Sequence, residues 1–121
     1  MAVEKVVVSE KLGLFSDHWN PRIVAELNGQ LVKLAKLKGE FIWHKHDAED
    51  ELFYVISGQL KIELRDKTLV LNPGEMVVIP RGVEHKPVAD EEVSVMLFEP
   101  KETLNTGDTE SELTQKELDR I

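Results

Sequence analysis

Apolar residues fall in short runs that alternate with polar ones at a spacing of two, and turn residues cut these runs about every ten positions. The segments "RIVAEL" and "QLVKLAKL" flank Asn28-Gly29, the dipeptide best suited to the positive φ angles of a two-residue hairpin turn. A β-hairpin is predicted there. Further on, "ELFYVI", "QLKIEL", "TLVL", "MVVIP" and "VSVMLFE" are β-prone, and "SG", "RDK", "NPGE" and "RGVEH" between them form turns. No window between residues 20 and 100 keeps a helical period for three turns. Closely spaced strands of this kind predict an all-β body, a sandwich or a small barrel.

Past Pro100 the pattern changes. "KETLNTGDTESELTQKELDRI" is polar and net acidic, and only Leu113, Leu118 and Ile121 suggest a short amphipathic helix. The expected organisation is a β domain over residues 1–100 and an acidic tail over 101–121 that packs loosely or reaches a partner. Alternation also sorts faces: if Glu51 looks inward, Phe53 and Val55 share its side, and Leu52, Tyr54 and Ile56 form an apolar outer stripe. Another sheet or another subunit is expected to cover that stripe.

A chain of 121 residues that is 41% apolar can bury a core as one domain without staples. Its net charge of -8, with no basic cluster, disfavours nucleic acid and anionic membranes as partners. Cysteine is absent, which removes disulfide, thiolate-metal and thiol-nucleophile chemistry. The N-terminal "MAVEKVVVSEKLG" has Glu4 and Lys5 interrupting its valines and lacks the apolar region of a signal peptide, so a cytoplasmic location is expected.

The chemistry concentrates in "HKHDAEDE", residues 44–51, which alone reads either as a solvated acidic loop or as part of a metal site. Residues two apart on a strand project from one face, so His44 and His46 can share an ion. Glu51 opens the next run and can return a carboxylate to the same side, and His85 follows the turn "PRGVEH". Three imidazoles and a carboxylate suit one divalent transition metal (Fe, Mn, Zn, Ni, Co or Cu) better than Ca or Mg. Four protein ligands leave positions open on an ion that takes five or six, as a catalytic site requires. Asp47, Glu49 and Asp50 are expected to be exposed loop acids and His18 a surface histidine. Trp43 points away from His44 into core or dimer-interface packing, and Arg81 and Gly82 serve their turn.

With these residues in register, the sequence resembles the cupins. Gly39 to Gly58 is similar to the first cupin motif, with His44, His46 and Glu51, and Gly74 to Ala89 is similar to the second, with Pro80, Gly82 and His85. Two positions depart from the pattern: four residues instead of five separate Gly39 from His44, and Ala89 stands where Asn is common. The resemblance implies a double-stranded β-helix (a jelly-roll barrel), a metal on His44, His46, Glu51 and His85, and a homodimer. Short members of this shape are described as mannose-6-phosphate-isomerase-like. Fold and metal do not fix a reaction. The leading expectation is a metalloenzyme of dioxygenase or isomerase type acting on a small oxygen-rich molecule. The alternatives are a non-catalytic sugar-binding or sensor module and a scaffold with a structural metal. Phe53, Lys36 and Met96 are candidate pocket residues.

Overall fold

In the computed structural model, which describes residues 2–121, a five-residue helix precedes seven strands. Helix α1 spans Val8–Leu12. The strands are β1 Arg22–Leu27, β2 Gln30–Glu40, β3 Glu51–Ser57, β4 Leu60–Leu64, β5 Thr68–Leu71, β6 Met76–Ile79 and β7 His85–Pro100. All strand pairings are antiparallel, in the order β1-β2-β7-β3-β6, with β4 lying between β5 and the first part of β7. The predicted hairpin forms as expected: Asn28 and Gly29 both take positive φ, 51° and 76°, and Leu27 pairs with Gln30. The all-β jelly-roll reading is correct, and no described helix is long and apolar enough to cross a membrane.

β7 is the strand that closes the barrel. Its C-terminal half pairs with β2 and β3, and its first residues pair with β4, so one continuous strand serves both sides. Alternation on β7 turns Val93, Val95, Leu97 and Glu99 inward, where they meet Ala35 and Leu37 of β2 and Phe53 and Val55 of β3. These side chains, with Leu60, Ile62, Leu71 and Ile79, make one buried core. The hydrophobic burial of this interior supplies the main favourable term in folding.

The outer face of the larger wall is also apolar. Cross-strand register sets Val78, Leu52, Phe98 and Val32 in one row and Met76, Tyr54, Met96 and Leu34 in the next. Val78 and Met76 remain 51% and 59% exposed. Lys36 and Met96, candidates for the pocket, lie on this outer side: Lys36 donates to the Phe15 carbonyl at 2.7 Å, and Met96 pairs with Tyr54. A shift of one residue along a strand exchanges inside for outside, which is why their placement was open to error.

The tail differs from expectation. No helix forms over residues 101–121; the segment runs as successive turns held by its own side chains. The Thr106 and Thr114 hydroxyls meet at 2.7 Å, Asn105 donates to the Leu113 carbonyl at 2.9 Å, and the Gln115 N–H donates back to Asn105 at 2.9 Å. Such short polar side chains offer the backbone partners that compete with a helix. Nor is the packing loose: Thr106 is fully buried, and Ile23 of β1 donates to the Asp119 carbonyl and accepts from Ile121.

Candidate metal centre

The ligand residues are placed by backbone pairing before their side chains meet. His44 and His85 face each other in an isolated antiparallel bridge, each N–H donating to the other's carbonyl at 3.1 and 2.9 Å. The bridge brings their rings to 4.3 Å between centroids. His46, two residues on, is fixed by the Gly82 N–H donating to its carbonyl at 2.8 Å, which ties the "HKHDAEDE" loop to the "PRGVEH" turn. Asp50 adds a second tie by accepting from the Arg81 backbone N–H at 2.9 Å, so Arg81 is occupied at the loop junction. Glu51 opens β3 with its side chain on the inner face beside Phe53.

The result is one buried cluster. His44, His46, Glu51 and His85 each offer a ligand atom within 4.8 Å of the others, and all four are buried. Glu51 Oε1 lies 3.3 Å from His46 Nε2 and 3.4 Å from His85 Nε2. The Nδ1 atoms of His44 and His85 sit 2.9 Å from the carbonyls of Ile42 and Val83, which fixes the tautomer and aims each Nε2 into the cluster. Yet His46 Nδ1 and Nε2, His85 Nε2 and Glu51 Oε1 are buried with no hydrogen-bond partner. Several orphaned donor or acceptor atoms converging on one point are costly unless an ion completes them. The donor set and the orphaned atoms both fit a divalent transition metal.

The electrostatics agree. Burial, then the neighbouring charge of His85, pushes the His44 pKa down to about 4, so His44 is neutral and its ring nitrogen is free to coordinate. Burial also works to lower His46, but the Glu51 carboxylate beside it outweighs burial and raises its pKa. Burial opposes the charge on Glu51, yet the His46 and His85 imidazoles 3.3 and 3.4 Å away hold its carboxyl well below the usual range.

Below the cluster lies a pair that the sequence reading missed. Lys33 of β2 and Glu99 of β7 are fully buried, with Lys33 Nζ 2.6 Å from Glu99 Oε1. Burial, then the Glu51 charge, raises the Glu99 pKa well above the carboxylate range. The other Glu99 oxygen, Oε2, is buried with no hydrogen-bond partner. The signal was present in the alternation: Leu31, Lys33, Ala35 and Leu37 share a face, as do Val93, Val95, Leu97 and Glu99.

Two openings flank the cluster. On one side His44, Glu51 and Phe53 meet an apolar chamber walled by Leu37, Leu97, Pro21 and Pro87, with Trp19 and Phe41 stacked at 4.6 Å and 18°. Of the candidate pocket residues, only Phe53 lines it. On the other side His46 meets an acidic rim of Asp47, Glu49, Glu102 and Asp108, whose field attracts cations. The tail crosses here: the Asp108 N–H donates to the Lys45 carbonyl at 2.9 Å, and Lys45 donates to the Asp108 carboxylate at 3.1 Å. His18 is exposed and lies away from the cluster, beside Glu92. Trp43 points outward beneath the Arg65 guanidinium at 3.7 Å, in neither the core nor the chamber.

Comparison with known proteins places this arrangement among relatives. Residues 30–101 match the family model described as the cupin domain. A cupin-2 domain containing protein from Shewanella frigidimarina has a solved structure that is 49% identical, covers 79% of this chain and 94% of its own, and superposes with a TM-score of 0.79. A protein of Neisseria meningitidis is 27% identical, with a TM-score of 0.74 over 81% of this chain and its whole length. KdgF from Halomonas sp. is 28% identical over 67% of this chain and 79% of its own, with a TM-score of 0.59. The curated relative YdbB of Bacillus subtilis is 42% identical over 64 residues, 52% of this chain, and the chain spans only 57% of that protein.

Proposed function

The chain belongs to the cupin domain family, and on that premise we propose that it binds one divalent transition metal and acts as a metalloenzyme on a small molecule. His44, His46, Glu51 and His85 would hold the ion. The observation that carries this reading is the convergence of four buried ligand side chains whose atoms lie within 4.8 Å of one another and include orphaned polar atoms. A metal so held supplies Lewis-acid or redox chemistry to a molecule bound on it.

The chain's own residues set the conditions for that chemistry. The carbonyls of Ile42 and Val83 lock the two imidazoles, the strands exclude water from below, and the chamber beside His44 and Glu51 receives the ligand. Visible spectroscopy of the cobalt(II) form tests the reading. Cobalt(II) titrated into metal-free protein should give a d–d band that saturates at one equivalent and shifts when acetohydroxamate, a small oxygen chelator, is added. Saturation without a shift would mean a closed, structural site.

A second reading, a non-catalytic binding or sensor module, draws on one observation. His44 and Glu51 are the only titratable side chains lining the chamber among the described residues, so no additional acid or base faces a bound molecule. Turnover of any ligand that shifts the cobalt band would decide against it.

The partner we propose is a second copy of this chain, docked on the outer sheet face where Leu52, Tyr54, Met76 and Val78 meet solvent. Sedimentation should give a dimer for the wild type and a monomer for Val78→Glu; a monomeric wild type would contradict this.

A further inference from the structure

Resting on the metal-site reading above, we infer that the barrel selects small, flat ligands with an apolar ring and one oxygen-bearing end, rather than sugars or sugar phosphates. Ten residues line the chamber, and none is lysine, arginine, serine or threonine. A phosphate placed there would find no Lys or Arg side chain among the lining residues. A polyol would find little better, because Asn105, the one polar residue besides His44 and Glu51, already gives its amide to the Leu113 carbonyl and takes the Gln115 N–H. Hydroxyls buried without partners weaken binding strongly, whereas a ring loses nothing against carbon walls. Oxygen is tolerated at one end only, where His44 and Glu51 stand.

The walls favour a flat body. Trp19 and Phe41 are stacked with 18° between their planes, and Phe41 meets the His44 ring edge-on at 5.3 Å. The free space is about 370 Å³ counting the open mouth, at the small end for a ligand pocket. Trp19 is held there on purpose-built supports: its backbone N–H donates to the Lys36 carbonyl at 3.0 Å and its indole N–H to the Lys38 carbonyl at 2.9 Å. Its φ of 60° is unfavourable for a bulky residue. Strain of this kind persists where the surroundings over-determine it and points to a role for the side chain so placed. Trp19 is only half-buried, so the indole stands at the entrance, where a ring can stack on it.

Two chelators with the same oxygen head separate the contribution of the chamber from that of the ion. Calorimetric titration of the zinc-loaded protein should show benzohydroxamate binding roughly tenfold or more tighter than acetohydroxamate, as a fitted apolar group allows. Mannose 6-phosphate should bind no better than inorganic phosphate. Trp19→Ala should bring the two hydroxamates close to equal affinity while zinc content stays at one equivalent, and Trp19→Phe should keep most of the preference. Phe41→Leu provides a second test of the wall should Trp19→Ala not fold. Zinc-loaded wild type with equal hydroxamate affinities, or with tight mannose 6-phosphate binding, would overturn this inference alone. A preference that survives both Trp19→Ala and Phe41→Leu would also overturn it, leaving the stack as a plug on the barrel. Wild type that takes up no zinc would instead overturn the metal reading beneath it.

Discussion

Two polar clusters lie inside the same barrel, and they resolve the cost of burial differently. Lys33 Nζ and Glu99 Oε1 meet at 2.6 Å, and of this pair only the second Glu99 oxygen is left without a partner. The four residues above them bring three imidazoles to one carboxylate and leave several ligand atoms without partners. A buried pair joined head to head is held by its own members, whereas a cluster with several orphaned ligand atoms could hold an ion. Glu99 joins the two, since burial and then the neighbouring Glu51 charge raise its pKa.

The sharpest way to break this contrast is to remove one partner of the pair. Glu99→Leu strands the Lys33 ammonium in the interior, and metal-free protein should lose about 3–5 kcal/mol of unfolding free energy in urea. The double variant Lys33→Met, Glu99→Leu should recover most of that loss, because replacing both partners of a buried pair is often neutral or stabilising. Equal losses in the single and double variants would mean that Lys33 and Glu99 do not act as a pair.

Acidity probes the other cluster. In the fold His44 stays neutral down to about pH 4, whereas an unfolded chain protonates it near 6.5. The unfolded state takes up this proton first, so its contribution to stability is full above about pH 6.5 and is lost as pH falls towards 4. The expected size is on the order of 3 kcal/mol for the metal-free protein. His46 has the opposite sign: its raised pKa stabilises the fold at low pH, and that contribution fades as pH rises through the folded value. Urea titrations at several pH values should therefore show a shallower acid slope for His44→Leu than for the wild type. Parallel slopes would contradict the neutral, buried His44.

A smaller effect is expected from outside the cluster. Gly107 has φ +56°, and a Cβ built on it would lie 2.2 Å from the Lys45 carbonyl oxygen and 3.2 Å from the His44 ring. Gly107→Ala must push the tail off the "HKHDAEDE" loop and should cost about 1–3 kcal/mol, with faster proteolysis of residues 101–121 and metal content retained. Unchanged proteolysis would show that the tail does not depend on that close approach.

Most of the barrel was legible because strong local rules govern it: Asn28-Gly29 dictates its turn, and strand alternation sorts Phe53 and Val55 inward. The buried cluster of His44, His46, Glu51 and His85 was legible through the resemblance of its spacing to the two cupin motifs. What escaped depends on long-range register and on side chains bonding to distant backbone. Lys36 and Met96 face outward because of the pairing of β2 with β7 and of β7 with β3, which no local pattern encodes. Trp19 reaches the chamber through hydrogen bonds to Lys36 and Lys38, seventeen and nineteen residues away, and the tail folds into turns through Asn105 and Thr106. Helix α1, only five residues long, leaves too little periodicity to detect.

The central claim is that the orphaned cluster holds a metal. Metal content by plasma mass spectrometry should be measured on protein purified from its own host without chelators or an affinity column, for the wild type and for the His44→Ala, His46→Ala double variant. The account predicts close to one equivalent of a single transition metal per wild-type chain and its loss in a variant that still folds. A folded wild type carrying no metal, or a variant retaining the full equivalent, would contradict it.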